Sequence, residues 1–409
     1  MKTTRRQFLK TSAAIGITGS INHSEIPDAK NVSFHPSFPA YCNAESGLQI
    51  SKIESFTGQN HTFVKVTSND GSSGFGQVAN YHNDITTTVL HNMIAQRMIG
   101  MDPYTIADSI ESCIEANYKF PWSFVCRAAA GVETALWDLK GKREQKSVVE
   151  LIGGKPKAIP AYASSMSRSI KPKEEAERLK KLGEEKGFRA CKIRVGKVNG
   201  HDEDQWPGRT EELIPTVRKG VGNDMEIFAD GNSCYTPKKA IEVGKLLEAN
   251  EGKMFEEPCP FWELEWTAKV TKALKMKVSG GEQDNDMAQW KRMINMDVVD
   301  VVQPDVCYLG GISRTLKVAQ MAAEVGKTCV PHSANLSLIT VFALHLMAAI
   351  ENAAPFLEYS IEDTPWAKDL YQPYLRIENG NVMFPEGPGW GVDVNEAWLN
   401  KAKYQKTEA

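Results

Sequence analysis

The sequence predicts a (β/α)8-type barrel, TIM-like but modified, carrying an N-terminal α+β capping domain. Three observations predict it. Eight short apolar runs recur after residue 156, with charged amphipathic stretches between them. Most of those runs end in a carboxylate, a histidine or a cation at a nearly constant interval. Before residue 156 the texture differs, because three strand-like runs precede one long helical stretch. Alternating strands and helices build a parallel sheet, and eight such units close into a barrel.

In chain order, the first signal is "MKTTRRQFLKTSAAIGITGS", which resembles a bacterial twin-arginine export signal. Residues 1–45 therefore read as signal and linker, and a periplasmic location is expected. "LQISKIESF", "TFVKVTS" and "SGFGQVANY" follow as an antiparallel meander, with the turn "SNDGS" between the last two. Residues 86–152 have helical periodicity, clearest in "CRAAAGVETALWDLKGK". The capping domain is thus placed at 46–155. The barrel, 156–360, contains the runs "AIPAYASS", "RACKIRVG", "EIFADGN", "KMFEEP", "KVSGGE", "VVDVVQPD", "KTCVPHS" and "FLEYS". Segments such as "PKEEAERLKKLGEEKG" read as surface helices between them. Residues 361–409 lose the barrel rhythm and are expected to pack back on the capping domain.

Composition excludes little but is informative. The 409 residues are 42% hydrophobic and 24% charged, with a formal net charge of −3. That balance gives no argument for nucleic acid or an anionic membrane surface, and no run reaches the roughly 20 apolar residues of a membrane span. The eight cysteines are scattered without a C-x-x-C pair, so they read as small buried hydrophobes.

The chemistry lies in the run ends. Asp230, Glu256, Glu282, Asp305, His332 and Glu358 are separated by 26, 26, 23, 27 and 26 residues, the length of one βα unit. Each therefore falls at the same height, the C-terminal rim where barrel active sites lie. On the second strand, Lys192 and Arg194 sit two apart and share one face. Carboxylates buried without partners cost several kcal/mol each. Asp230, Glu256 and Glu282, on consecutive strands, avoid that cost by sharing one divalent cation, and an all-oxygen set suits Mg²⁺. The alternative is a charge network neutralised by Lys192 and Arg194. Asp305 beside His332 on the next strand makes a general-base dyad. His345, within the apolar helix "TVFALHLMAA", reads as structural.

These motifs, together with "ALWDLKGK", "LIGGK", "DGN", "FEEP", "GGE", "QPD", "GGIS", "PHS" and "LEYS", resemble the enolase superfamily, and within it the mandelate racemase subgroup. The resemblance spans about residues 46–400. It implies Asp230, Glu256 (the first Glu of "FEEP", rather than Glu257) and Glu282 as ligands of one Mg²⁺. It implies His332–Asp305 as the acid–base dyad and Glu358 as hydrogen-bond donor to an enediolate. Lys192 would contact the substrate carboxylate, and Asn232 would be a polar neighbour. A small-molecule carboxylate substrate and a homo-oligomer are likewise implied. The shared reaction removes the α-proton of a carboxylate and stabilises the resulting charge.

One position departs from the pattern. Where the racemase has a second lysine as base, this chain has Arg194, which is always protonated and a poor base. A single base favours β-elimination of water from a sugar acid. A cycloisomerase of an anhydro-sugar acid, a racemase or epimerase, and a periplasmic binding protein on the same barrel stand as alternatives. Substrate choice is assigned to capping loops through Gln59, Asn60, His61, Tyr81 and His82. The long connection "GKVNGHDEDQWPGRT" adds His201, Trp206 and Arg209 near the mouth; each of these also fits an ordinary surface position.

Overall fold

The computed structural model of the chain describes residues 47–409, so the export signal lies outside the described residues. Three antiparallel strands open the chain: β1 (Ile50–Thr57), β2 (Thr62–Ser68) and β3 (Ser73–Gln77). In β2, Val64 and Val66 are buried on one face while Lys65 stays half-buried on the other, where Phe63 is covered by Trp398 of the tail. The first face is covered by the 23-residue helix Trp122–Glu144. Gly76 makes the approach close, since a Cβ there would sit 2.4 Å from the Gly131 carbonyl oxygen of that helix. Helix and sheet touch backbone to backbone at this point.

Eight parallel strands follow: β4 (Ile159–Ser164), β5 (Ala190–Arg194), β6 (Glu226–Asp230), β7 (Gly252–Glu256), β8 (Lys277–Gly280), β9 (Val301–Val302), β10 (Thr328–Cys329) and β11 (Leu357–Ser360). They pair in sequence from β4 to β10, and β11 returns to pair with β4. A bridge between Cys329 and Ala353 closes the remaining gap. Long helices follow seven strands, from Pro172–Lys186 after β4 to Leu338–Ala349 after β10. The eighth unit departs from the regular alternation: among the described residues, β11 is followed by the 3₁₀ turn Pro365–Asp369 and, near the end, a single helical turn, Glu396–Leu399, with no long helix. Pro365 and Pro373 interrupt that stretch and deny it a helix.

The tail crosses both parts. Asn381–Val382 adds to β4, and Lys403–Glu408 adds to β1. The motif "ALWDLKGK" ties these pieces together. Asp138 accepts N–H bonds from Phe75 at 2.8 Å and Trp390 at 3.1 Å, and pairs with Lys142 at 2.8 Å. One turn earlier, Glu133 caps the barrel helix Ile312–Ala323 by accepting from Ile312 N–H, Ser313 N–H and the Ser313 hydroxyl at 2.9, 2.9 and 2.7 Å. His345 is structural: Nδ1 accepts the Val149 N–H at 3.0 Å, so Nε2 carries the proton given to the Trp390 carbonyl at 3.2 Å. The seven described cysteines are buried and free.

Inside the barrel, side chains form two layers. The lower is apolar: Tyr162, Phe228, Met254, Val301 and Val330, backed by Phe356. The upper, at the strand C-termini, is charged. A cavity of about 900 Å³ opens below the apolar layer, at the opposite end from the charges.

Candidate active site

Strand register sets the upper layer. Arg194 on β5 is level with Asp230 on β6, which is level with Glu256 on β7. Lys192 lies one inward position lower. Glu282 follows the β8 end by two residues, across a turn at Gly281 whose φ of 107° suits glycine. Asp305 caps a short turn of helix after β9, and His332 follows β10 by three residues. Glu358 lies within β11. The predicted catalytic and metal-ligand residues are thereby brought together.

Their pairings are specific. The Lys192 ammonium is 2.7 Å from Glu256 Oε1 and 2.7 Å from Glu358 Oε1, and 3.7 Å from Asp230 Oδ2. Arg194 pairs with Asp230 and donates to the Ser165 carbonyl at 2.9 Å. His332 Nδ1 donates to Asp305 Oδ2 at 2.8 Å, while Nε2 lies 3.0 Å from Glu282 Oε2. Asp305 is itself fixed, since its Oδ1 accepts the Cys307 and Tyr308 N–H groups at 2.8 and 2.9 Å.

The ion pairs of Lys192 and Arg194 with these carboxylates are present. Among the described residues no three metal-ligating side chains form a ready cluster. Asp230 is paired with Arg194, Glu256 with Lys192, and Glu282 lies beside His332 Nε2. The residues nevertheless fit a divalent ion, by charge. Six buried carboxylates (Asp230, Glu256, Glu257, Glu282, Asp305 and Glu358) face Lys192, Arg194 and His332. The shortfall bears on two of these carboxylates. Burial, with Asp230 and Glu358 nearby, pushes Glu256 up to about 8 despite Lys192. Burial and the charge of Glu282 push Glu257 well above the usual carboxylate range, and Glu257 Oε1 is buried without a partner. An all-oxygen site short of positive charge is the environment a hard divalent cation neutralises.

Other shifts follow from the same crowding. Burial alone would lower His332, but Glu282 and the Asp305 hydrogen bond outweigh it and hold the imidazole well above its ordinary value. Burial would raise Glu358, but Lys192 and His332 hold it well below the usual range. Glu358 is therefore ionised here and accepts from Ser164 Oγ at 2.8 Å and Ser333 N–H at 2.9 Å. The expected hydrogen-bond donor is an acceptor in this arrangement, because Lys192 rather than an enediolate lies beside it.

The capping residues separate. His61 is buried, its ring tilted against Trp366 of the segment after β11 at 4.6 Å, and lies 3.3 Å from Asn80 Nδ2. Burial depresses its pKa to about 4, so it is neutral. Gln59, Asn60, Tyr81 and His82 are exposed, with Tyr81 and His82 on the loop after β3. In the connection after β5, His201 is exposed, but Arg209 is not at the mouth. It is buried beside Trp206 and donates to the Arg194 carbonyl at 2.8 Å, bracing that strand end. Asn232 accepts from Arg194 Nη1 at 2.9 Å and from Arg168 at 2.6 Å. Sequence reasoning missed Gln303, which donates to Glu256 Oε2 at 2.9 Å. It lies two residues before Asp305, and that alternation was a readable signal. Ser164 and Arg168 carried no such signal.

Fold and site together define a capped-barrel enzyme whose rim is built to handle an anionic substrate. Comparison makes the class specific. Residues 174–398 match the family described as enolase C-terminal domain-like, and residues 43–153 match the mandelate racemase/muconate lactonizing enzyme N-terminal domain. The chain belongs to the enolase superfamily. Among its relatives is an arabinonate dehydratase of Saccharolobus solfataricus, 26% identical over 83% of this chain and 90% of that one. A D-galactarolactone cycloisomerase of Agrobacterium fabrum is 28% identical over 83% and 90%. A solved structure from Roseobacter denitrificans, provisionally called a racemase, superposes with a TM-score of 0.87 and 50% identity, covering 88% of this chain and all of its own.

Proposed function

We propose that this enzyme removes the α-proton of a sugar acid with His332 and expels the β-hydroxyl as water, leaving a 2-keto-3-deoxy acid. The observation that carries the reading is the His332–Asp305 dyad at 2.8 Å, set against Arg194 as the only other candidate base position. Asp305 fixes the tautomer, so the proton is taken at Nε2. That nitrogen is free once Glu282 turns to a metal. Lys192 would hold the substrate carboxylate in place, and Glu358 fixes the Lys192 ammonium from its other side. Asp230, Glu256 and Glu282 would hold Mg²⁺, whose Lewis acidity stabilises a developing enediolate. The imidazolium formed on His332 can return its proton to the departing hydroxyl. If the leaving oxygen belongs to a ring, the same step is a cycloisomerisation, a reading favoured by likeness to the Agrobacterium relative.

The test is a panel of sugar acids with Mg²⁺ in D₂O. Formation of 2-keto acid, lost with EDTA, supports elimination. Recovery of substrate deuterated at C2 with inverted configuration, and no keto acid, refutes it. The metal has a separate readout: Mg²⁺ at 100 times its Kd should add about 2.7 kcal/mol to unfolding free energy. Export to the periplasm is proposed on the N-terminal motif alone, and fractionation of cells making the full chain tests it.

A further inference from the structure

Two guanidinium groups share one amide oxygen at the rim. Arg194 Nη1 and Arg168 Nη2 both donate to Asn232 Oδ1, at 2.9 and 2.6 Å. Arg194 is neutralised by Asp230. Arg168, on the connection after β4, is not. Its other acceptors are the Gly196 and Asp230 carbonyl oxygens, at 3.2 and 3.5 Å. Among the described residues it forms no ion pair with a carboxylate, and its Nη1 makes no hydrogen bond. The side chain is half-buried. A cation held in place by neutral acceptors through Nε and Nη2 leaves the Nη1 N–H groups to meet an anion.

Its height separates it from the reacting end. Lys192 and Glu358 occupy the lower, fully buried part of the charged layer. Arg194 is two residues further along β5, and Arg168 reaches Asn232 beyond it. Arg168 therefore lies outward of Lys192 along the strand direction, level with the residues that follow β5 and β6.

We propose that Arg168 is the specificity determinant for a second carboxylate, so that the substrate is a sugar diacid, or its lactone, rather than a monoacid. This deepens the reading of the site as one for sugar acids and rests on it. Galactarate and galactonate differ only in a terminal carboxylate against a hydroxymethyl group, and they make the comparison. With the Mg²⁺-loaded enzyme, kcat/KM should favour galactarate or another aldarate over the matching aldonate. Arg168→Gln should lower that diacid-to-monoacid ratio by roughly 10- to 100-fold, the range for a hydrogen bond to a charged group. The loss should fall mainly on KM, and Arg168→Lys should restore part of the ratio. A wild type that prefers aldonates, or a ratio that stays within about threefold in Arg168→Gln, overturns the proposal. Calorimetry separates this failure from failure of the proposed reaction. The Mg²⁺-loaded His332→Asn protein should bind galactarate more tightly than galactonate whether or not wild type yields a keto acid. Equal binding overturns the diacid assignment, even where dehydration is real.

Discussion

Asp305→Asn is the most discriminating single change. In the native site Oδ1 of Asp305 takes two backbone N–H groups and Oδ2 takes His332 Nδ1–H. Asparagine keeps its oxygen on the two backbone donors, because an NH₂ group cannot accept from them. Its amide N–H then points at His332 Nδ1, which must accept. The imidazole proton moves to Nε2, the atom that has to be free to act as a base. The expected loss is about 10³- to 10⁴-fold in kcat, equivalent to about 4–5.5 kcal/mol at 1.36 kcal/mol per decade. Stability should change little, because the backbone cap is retained. The surviving activity carries a second signature. Asp305 raises the His332 pKa, so removing its charge lowers that pKa and moves the acid limb of kcat/KM to lower pH. Steady-state kinetics across pH and the exchange of the C2 proton in D₂O measure both. A variant that retains kcat within about tenfold of wild type, with an unshifted acid limb, would falsify the dyad as the base.

Three further outcomes are expected. Arg194→Lys supplies a titratable amine at the position of the missing second base; NMR of recovered substrate should show more C2 deuteration than wild type, and an unchanged rate would mean that this position does not face the reacting carbon. Glu133→Ala removes the acceptor shared by Ile312 N–H, Ser313 N–H, Ser313 Oγ and Trp137 Nε1; urea unfolding should show a loss of about 3 kcal/mol, and a loss below about 1 kcal/mol would deny it the joining role. His345 is held neutral by burial with its pKa lowered to about 3. The unfolded chain binds a proton there near pH 6.5 and the folded chain does not, so this contribution is complete above pH 6.5 and falls as the pH drops toward 3. At pH 5 the loss is about 2 kcal/mol, and His345→Gln, which can keep both backbone bonds, should flatten that part of the stability profile.

The sequence revealed the site through spacing and little else. Asp230, Glu256, Glu282, Asp305, His332 and Glu358 recur at the repeat length of a βα unit, and that repeat is what places them at one rim. Lys192 and Arg194 were legible because alternation in a strand is strict. Pairings were not legible. Nothing in "ACKIRV" says that Lys192 divides itself between Glu256 and Glu358 while Arg194 takes Asp230, since those choices depend on the radius of the closed barrel. Loops were the poorest ground. Arg209 and Tyr81 look equally suited to a mouth on paper, but one is buried against the strand it braces and the other is exposed. Arg168 sits in "SMSRSIKP", where no periodicity separates a ligand from decoration. The missing eighth helix was foreshadowed by two prolines.

The apolar layer beneath the charges has a kinetic consequence. Tyr162, Phe228, Met254, Val301, Val330 and Phe356 seal the reacting end from the cavity beneath. The barrel is a vessel with one opening, and a bound substrate stoppers it. A proton lifted by His332 then has no back door to solvent. Its isotope should be remembered: substrate labelled with deuterium at C2, recovered from ordinary water before turnover is complete, should keep most of its label.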